Sequence, residues 1–319
     1  MIGKLTPEEL NDNVLSVIKK RRKEVKLSAA IGSDSASLQT DKIILVTTDP
    51  ITSGSGNCGS LAVNVCCNDI AAEGGEPIAV LLTVLAPVAS KLKEIKTVMF
   101  DAEKAAEKLN VEIIGGHTEI TDAVNRIIVN ATAIGIKIND NVMAQVKSGD
   151  SILVTKDLGL EGTAVIANNF NKLISLNKDE LLEAKECLNY VSVVEEGKVC
   201  SIENISSMHD ITEGGVYGAL CEVLMYKGVG ADIEAQNVPF RKVTEKICQQ
   251  LHLDKYRLLS SGSMLITTAD EKGVTKALNN AGIKVSKIGT VRDGEGVTVI
   301  ENGKKIKVKA LPDEINKLL

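Results

Sequence analysis

One stretch constrains the fold of this chain more than any other: residues 56–75, GNCGSLAVNVCCNDIAAEGG. Its small and apolar residues follow a Ser/Gly/Asn turn and close on a glycine pair, which predicts a buried helix. Asn68 and Asp69 stand near the C-terminal end of that helix. A carboxylate there needs a charge partner, a metal ion or a proton, because an isolated ionised group is too costly to desolvate. Asn68 and Asp69 are therefore the first candidates for a binding site.

Length and composition indicate a globular protein with two domains. The 319 residues, 44% of them apolar and 25% charged, are enough for two cores. A net charge of −5 and only 2% aromatic residues argue against nucleic-acid binding. No apolar run has the length of a membrane span, and no signal peptide is evident, so a cytoplasmic location is predicted. The seven cysteines form no CxxC pair, which predicts reduced, buried thiols.

Segments with helical and strand-like periodicity alternate along the chain, and the composition turns polar around residues 138–149, which predicts a boundary between domains at 1–145 and 146–319. In the first domain, helices are predicted over 7–25, 56–75 and 98–109, and strands over 42–47, 78–85, 111–114 and 126–138. In the second, helices are predicted over 163–169, 178–198, 216–225 and 241–251, and strands over 151–155, 205–208, 232–235, 264–267 and 283–291. The basic run at 19–23 is interpreted as a solvated helix end, and Asn302-Gly303 as the turn of a hairpin.

Five places share one design, in which an apolar strand or helix stops at a glycine or a turn and presents a carboxylate. They are Asp34, Asp49, Asp69, Glu119, and Asp210 with Glu213. Carboxylates along a cleft are typical ligands of Mg²⁺, which also takes phosphate oxygens. Adjacent glycines let backbone N–H groups reach phosphates. No P-loop and no dinucleotide fingerprint is present, and each acid alone could equally belong to an ordinary turn.

His117 and His209 each stand at a predicted strand end beside a glycine or an acid. Either could donate to a phosphate or act as an acid or base near neutral pH. Either could equally be a structural histidine held by neighbouring backbone. A serine hydrolase is not supported because no GxSxG elbow occurs, and no cysteine has a neighbour that would activate it.

Eight segments resemble, in order, those of the aminoimidazole-ribonucleotide (AIR) synthase-like superfamily. This superfamily includes AIR synthase, thiamine-monophosphate kinase, selenophosphate synthetase and the hydrogenase-maturation branch HypE. The segments are GSDSA at 32–36, VTTDP at 46–50, NDIAAEGGEP at 68–77, IIGGHTE at 113–119, KSGDSILVT at 147–155, DLGLEGTAVIA at 157–167, MHDITEGG at 208–215 and LLSSGSMLI at 258–266. The resemblance covers nearly the whole chain.

The resemblance implies a two-domain α/β subunit that binds Mg–ATP and forms a homodimer, with the N-terminal mixed sheets paired into a barrel. It assigns three groups of residues by position. Asp34, Asp49 and Asp69 are similar to magnesium and phosphate ligands, with Asn68 beside them; Gly115, Gly116, His117, Thr118 and Glu119 resemble a second nucleotide loop; and His209, Asp210 and Glu213 belong to a loop that faces ATP and substrate, which makes them candidate catalytic residues.

The ND pair and the segments at 147–155 and 208–215 resemble the HypE branch most. In that branch ATP dehydrates a thiocarboxamide on a C-terminal cysteine, whereas the last cysteine here is Cys248. Three functions stay open. The chain could activate an amide-type oxygen of a small molecule or partner protein, phosphorylate a small molecule as the thiamine branch does, or bind nucleotide in a maturation complex without catalysis. The acceptor is not predicted.

Overall fold

The structure, a computed structural model, describes residues 3–31, 35–52, 57–138, 145–225 and 227–318. Residue contacts group the chain into two compact units, Met1–Ala71 with Gly75–Ile138, and Ala72–Gly74 with Asn139–Leu319. The predicted α/β architecture is confirmed, since each unit is a mixed sheet with helices packed on it. The domain boundary between residues 145 and 146 stays a prediction.

The first unit contains seven strands and three helices in its described residues. These are β1 (Gly3–Lys4), α1 (Pro7–Asn13), β2 (Val25–Leu27), β3 (Ser37–Leu38), β4 (Ile44–Ile51), α2 (Cys58–Ala72), β5 (Gly75–Pro87), α3 (Leu92–Leu109), β6 (Glu112–Thr121) and β7 (Ile128–Lys137). Five strands form a sheet in the order β1-β6-β5-β7-β4, and β2 pairs with β3 in a separate ribbon. Strands β5 and β6 run parallel, while the other neighbours are antiparallel.

Helix α2 approaches both α3 and the sheet closely because glycine occupies the contact positions. A Cβ at Gly59 would lie 2.1 Å from the carbonyl oxygen of Val98, and one at Gly135 would lie 2.2 Å from Cγ2 of Ile70. Both distances are far shorter than van der Waals contact, so a larger residue would push the helix away. The predicted buried helix is confirmed over Cys58–Ala72.

The predicted helix over 7–25 is wrong beyond its first two turns. Helix α1 ends at Asn13, a short 3₁₀ turn follows, and the basic run leaves the helix altogether. The backbone N–H groups of Lys19 and Lys20 both donate to the Glu103 carboxylate at 2.5 Å, and that of Arg22 donates to Glu112 at 2.6 Å. These buried carboxylates accept the N–H groups that a helix would have used internally, so the basic run is not a solvated helix end.

Strands β4 and β6 are among those that extend further than the sequence predicts. Strand β4 continues through Asp49 to Ile51 because β7 pairs with it along its whole length, and its Pro50 is tolerated because β4 is an edge strand. Strand β6 continues through the glycine pair to Thr121 because β5 runs beside it. Asp49 and residues 115–119 therefore lie within strands, not in the turns that follow them.

The second unit has a seven-stranded sheet with helices on both faces. Its elements are β8 (Ser151–Thr155), α4 (Leu160–Asn169), α5 (Lys178–Glu186), α6 (Val194–Cys200), β9 (Ser207–Ile211), α7 (Gly215–Met225), β10 (Val229–Glu234), α8 (Lys242–Leu251), β11 (Ser263–Thr268), α9 (Glu271–Asn280), β12 (Val285–Asp293), β13 (Gly296–Glu301) and β14 (Lys304–Lys307). The order is β14-β13-β10-β12-β8-β11-β9. Strand β8 is buried throughout, because Ile152 and Val154 pack in the core under α7 and Leu153 packs with α6 and α9.

In the second unit, two of the predicted elements need correction and one helix is not predicted. The helix predicted over 178–198 is interrupted between Glu186 and Val194, where Ser192 Oγ accepts the N–H of Val194 at 3.2 Å and β-branched residues disfavour helix. The strand predicted over 205–208 instead runs from Ser207 to Ile211. Helix α9 is missing from the predicted elements, although Asp270 caps it by accepting the N–H of Gly273.

The predicted hairpin is confirmed by β13 and β14, which pair across a turn at Asn302 and Gly303, both with positive φ. Among the helices in the described part of the chain, none combines the length and the apolar character of a membrane span.

Candidate functional site

Asp49 and Asp69 form a hydrogen-bonded pair of carboxyl groups in the first unit. Asp69 also accepts the hydroxyl of Thr47 at 2.6 Å. Burial, followed by the hydrogen bond to Asp69 and the charge of Asp69, raises the pKa of Asp49 to about 7. Two carboxylates in contact cannot both ionise easily, so the pair retains a proton up to nearly neutral pH.

Strand alternation and small neighbours position this pair. Thr47 and Asp49 lie two residues apart on β4 and therefore share a face, opposite Ala133 and Ala131 of β7. The alanine methyl groups leave room for α2, and Cys66 Sγ of that helix accepts the N–H of Ala133 at 3.2 Å. Burial raises the pKa of the Cys66 thiol to about 12. This cysteine is thus a neutral packing group that supports the pair.

The two polar residues that the sequence singles out have different environments. Asn68 is completely buried, whereas Asp69 is partly exposed. The Asn68 side chain therefore has no surface open to a ligand in this structure, and Asp69 is the member of the pair that reaches the site. The role of Asn68 in nucleotide binding stays a prediction.

A magnesium ion would find two oxygen donors here. Asp34, the third predicted ligand, lies outside the described residues. Among the residues that are described, no group of three or more His, Cys, Asp and Glu side chains is arranged to hold a metal ion. Asp49 and Asp69 nevertheless fit Mg²⁺, because this ion commonly takes one or two carboxylates and completes its octahedron with water and phosphate oxygens.

The glycine pair of β6 brings the backbone of two strands close together. At Gly116, φ is +144° and a Cβ would lie 1.9 Å from the carbonyl oxygen of Leu82, so this position requires glycine. Strand β1 pairs with β6 only opposite Glu119 and Ile120. Before that point, β6 pairs with a strand on one side only among the described residues.

The predicted nucleotide contacts are divided between two faces of the sheet. The pairing register places Asp49 and Thr118 on the face that α2 covers. His117 and Glu119 lie on the opposite face, where His117 Nε2 and Glu119 Oε2 are 3.0 Å apart. The structure therefore joins Asp49 to Asp69 but does not bring either carboxyl group to His117 or Glu119.

A cavity of about 470 Å³ lies in the first unit beside the glycine pair of β6. Its wall combines apolar side chains, among them Leu10, Val14 and Met99, with polar groups that include Thr83 and His117. Gly115 and Gly116 also line it. A cavity of this size with both apolar and polar groups in its wall suits a small organic ligand.

The three predicted catalytic residues do not form a contact triad. His209 and Asp210 are consecutive in β9 and therefore point to opposite faces. His209 Nε2 lies 2.9 Å from Glu222 Oε2 on α7, whereas Asp210 is buried. Glu213 is exposed in the turn after β9. Their roles in catalysis stay a prediction.

Sequence reasoning misses two buried acids near that turn, Glu161 and Asp313. Burial raises the pKa of Glu161 to about 7, against the opposing effect of a hydrogen bond from Ser261, and the charges of Asp313 and Glu213 raise it further. Burial also raises the pKa of Asp313. Glu161 lies in the glycine-containing segment at 157–167, but nothing in the sequence near Glu161 or near Asp313 marks the two as members of one cluster.

Comparison with known families gives a direct match to both halves of the chain. The model of the N-terminal domain of AIR synthase related proteins matches residues 32–137, and the model of their C-terminal domain matches residues 147–302. The chain belongs to the AIR synthase related family. The resemblance inferred from the ordered motifs is confirmed.

The most similar relatives include proteins of hydrogenase maturation. The chain is 28% identical over 282 residues to a Methanocaldococcus jannaschii protein provisionally named hydrogenase expression/formation protein, covering 84% of this chain and 81% of that protein. It is 23% identical over 237 residues to carbamoyl dehydratase HypE of Escherichia coli, covering 73% and 68%. The crystal structure of hydrogenase maturation protein HypE in complex with ATP has a TM-score of 0.84 at 19% identity, covering 98% of this chain and 96% of that chain. This structural likeness confirms the fold.

Proposed function

We propose that this protein is a Mg–ATP-dependent enzyme that transfers the γ-phosphoryl group to an oxygen of its acceptor, an amide-type oxygen as in a HypE-like dehydration. The observation that carries the proposal is the contact between the Asp49 and Asp69 carboxyl groups, which gives two hard oxygen donors at one place. The relatives support it, because one is named a carbamoyl dehydratase and HypE has been crystallised with ATP.

In this proposal the first unit binds the nucleotide. Asp49 and Asp69 would hold Mg²⁺, which when bound would neutralise charge on the triphosphate. A backbone N–H of the Gly115–Gly116 pair donates to a phosphate oxygen, since no side chain there blocks the approach. The apolar side chains in the wall of the 470 Å³ cavity take the base and ribose.

The second unit supplies the residues on the acceptor side. Glu213 is the exposed member of the predicted set, so we assign it the contact with the acceptor. The contact with Glu222 orients His209, and Asp210 lies buried beside it in β9. Transfer forms a bond from phosphorus to the amide oxygen and breaks the bond to ADP with loss of one N–H proton; departure of phosphate with loss of the second N–H proton leaves a nitrile.

We further propose that two copies of the chain associate through β4, as a homodimer. Among the described residues this strand lies at the sheet edge, where backbone groups on its outer side can pair with another strand. It also exposes large apolar side chains, Ile44 at 49% and Val46 at 65%. Exposed apolar residues on an open edge are costly in a monomer, which supports a second copy as the occupant.

Calorimetric titration with Mg–ATP tests nucleotide binding. We expect the wild type to bind, Asp69→Ala to lose at least tenfold in affinity, and the exposed Asp41→Ala to bind as the wild type does. Absence of binding by the wild type, or equal affinity in Asp69→Ala, would refute the proposed site.

ADP release with candidate acceptors tests the reaction. Primary carboxamides should stimulate ADP and phosphate release, with the amide converted to a nitrile. A stable phosphorylated alcohol would instead identify a small-molecule kinase. Binding of ATP without turnover on any acceptor, including partner-protein carboxamides, would identify a nucleotide-binding protein without catalysis.

A further inference from the structure

The C-terminal segment of the described chain, Lys309–Leu318, is built into the second unit. Arg257 Nη1 donates to the carbonyl oxygen of Lys309 at 2.8 Å. Glu314 accepts the N–H of Asp254 at 3.0 Å. Ile315 is buried in a core that includes Val243 and Leu258. This segment is therefore held by side chains, backbone and core packing together.

Within the segment, the buried Asp313 carboxylate fastens the turn after β9. Its Oδ2 accepts the N–H of Gly214 at 2.8 Å, and its Oδ1 accepts the N–H of Ile315 at 2.8 Å. The N–H of Leu259 donates to it as well. One carboxylate thus joins three separate parts of the second unit: the 212–215 turn, the 258–261 segment and the C-terminal segment.

The turn itself has little freedom. Gly214 and Gly215 both have positive φ, at +76° and +59°. A Cβ at Gly215 would lie 2.5 Å from the carbonyl oxygen of Tyr256, so the turn packs closely against the backbone of residues 256–258. The N–H of Ser260 donates to the carbonyl oxygen of Thr212 at 3.2 Å. Any shift of Asp313 would therefore change where Glu213, between Thr212 and Gly214, is held.

The 258–261 segment connects this turn to helix α4. Ser260 Oγ accepts the N–H of Gly159 at 2.8 Å and donates to the carbonyl oxygen of Leu258 at 2.6 Å. The N–H of Gly162 donates to the carbonyl oxygen of Leu259 at 2.9 Å. The 258–261 segment is consequently well fixed, and the Asp313 side chain connects the turn to it by hydrogen bonds.

We propose that Asp313 is a positioning residue that fixes the 212–215 turn through the Gly214 N–H, and thereby sets the place from which Glu213 meets the acceptor. This inference rests on the proposed function for the role of Glu213. Asp313 does not touch the acceptor. Asparagine at this position keeps the size of the side chain but loses one acceptor oxygen and the negative charge that strengthens the bond to Gly214.

Hydrogen exchange of the 212–216 amides, measured on the full chain, tests whether Asp313 fixes the turn. In Asp313→Asn we expect the Gly214 amide to exchange about tenfold faster or more, because a bond to a charged acceptor is lost. Glu314→Gln is the matched control, since its side chain holds Asp254 and Lys317 and not the turn. Unchanged exchange in Asp313→Asn, or equal acceleration in both variants, would overturn the proposal.

Kinetics with a carboxamide acceptor test the consequence for the reaction. Asp313→Asn should lower kcat about tenfold, while the Mg–ATP affinity of the first unit stays within about twofold of wild type. Faster exchange at Gly214 with an unaltered kcat would overturn the positioning role. A wild type that binds no Mg–ATP would refute the proposed function instead, and is told apart by the calorimetric titration.

Discussion

At the scale of single residues, Thr47, Asp49 and Asp69 show how much of the site a local sequence pattern can predict. Alternation along a strand places Thr47 on the same face as Asp49, so the position of this hydroxyl donor could be predicted from the sequence. The contact of Asp49 with Asp69 depends instead on how closely α2 approaches β4. That distance is set by glycine and alanine at packing positions, and no local pattern encodes it.

Replacing Asp69 by asparagine should lower the pKa of Asp49. The pKa is raised by burial, by the hydrogen bond to Asp69 and by the Asp69 charge, and the variant removes the charge and supplies an N–H donor to ionised Asp49. Carbon-13 NMR of the aspartate carboxyl groups should show Asp49 titrating near pH 7 in the wild type and clearly lower in Asp69→Asn. Asp41→Asn should leave the titration unchanged. An Asp49 that already titrates in the ordinary range in the wild type would contradict the paired geometry.

Glu161 should make stability depend on pH. Its folded pKa is about 7 against 4.5 ordinarily, so its stabilising contribution is fully present below pH 4.5 and is lost as pH rises through 7. The full difference is on the order of 3 kcal/mol in the free energy of unfolding. Asp313 and Glu213 face the same group and are present in both proteins when Glu161→Gln is compared with wild type.

Urea unfolding of wild type and Glu161→Gln at pH 5 and pH 8 measures this contribution. From pH 5 to pH 8, the free energy of unfolding of Glu161→Gln should rise relative to that of the wild type, because glutamine stays neutral. A difference between the two proteins that does not change with pH would contradict a protonated Glu161.

At the scale of elements, the pattern located most helices and strands but failed where tertiary contacts supply hydrogen-bond partners. The basic run at 19–23 has helix-forming residues, yet Glu103 and Glu112 accept its backbone N–H groups and hold it in a non-helical conformation. Likewise, β6 passes through two glycines because β5 pairs with it. Both partners are distant in sequence, so a local reading could not include them.

Removing the Glu103 carboxylate should destabilise the first unit. Glu103→Ala leaves the N–H groups of Lys19 and Lys20 without their acceptor, at a cost of about 2–4 kcal/mol in the free energy of unfolding. Glu107→Ala, at an exposed site on the same helix, should change stability by no more than about 0.5 kcal/mol. Equal effects of the two substitutions in urea unfolding would show that the N–H groups find other partners.

At the scale of the whole molecule, the ordered motifs identified the family because they extend along nearly the entire chain. The α/β fold in two units followed from the same order, and the structure and the family models agree with it. The acceptor could not be predicted, because Glu161, Asp313 and the turn they surround come together only in the folded second unit.

A charge at Val46 should separate the proposed homodimer. Val46→Lys places an ammonium group at the most exposed apolar position of β4, where a second copy would have to bury it. Sedimentation velocity should show a dimer for the wild type and a monomer for the variant. Lys42→Ala, just before the strand, should remain dimeric. A monomeric wild type would refute this arrangement.

All seven cysteines are buried free thiols, with Cys58, Cys66 and Cys67 in the first unit and the other four in the second. Alkylating reagents can reach a buried thiol only after the surrounding structure opens, and desolvation keeps these thiols in the unreactive protonated form. The native cysteines can therefore serve as probes of local opening. Mass spectrometry of alkylated peptides would measure the rate of local opening in each unit separately, without any introduced probe.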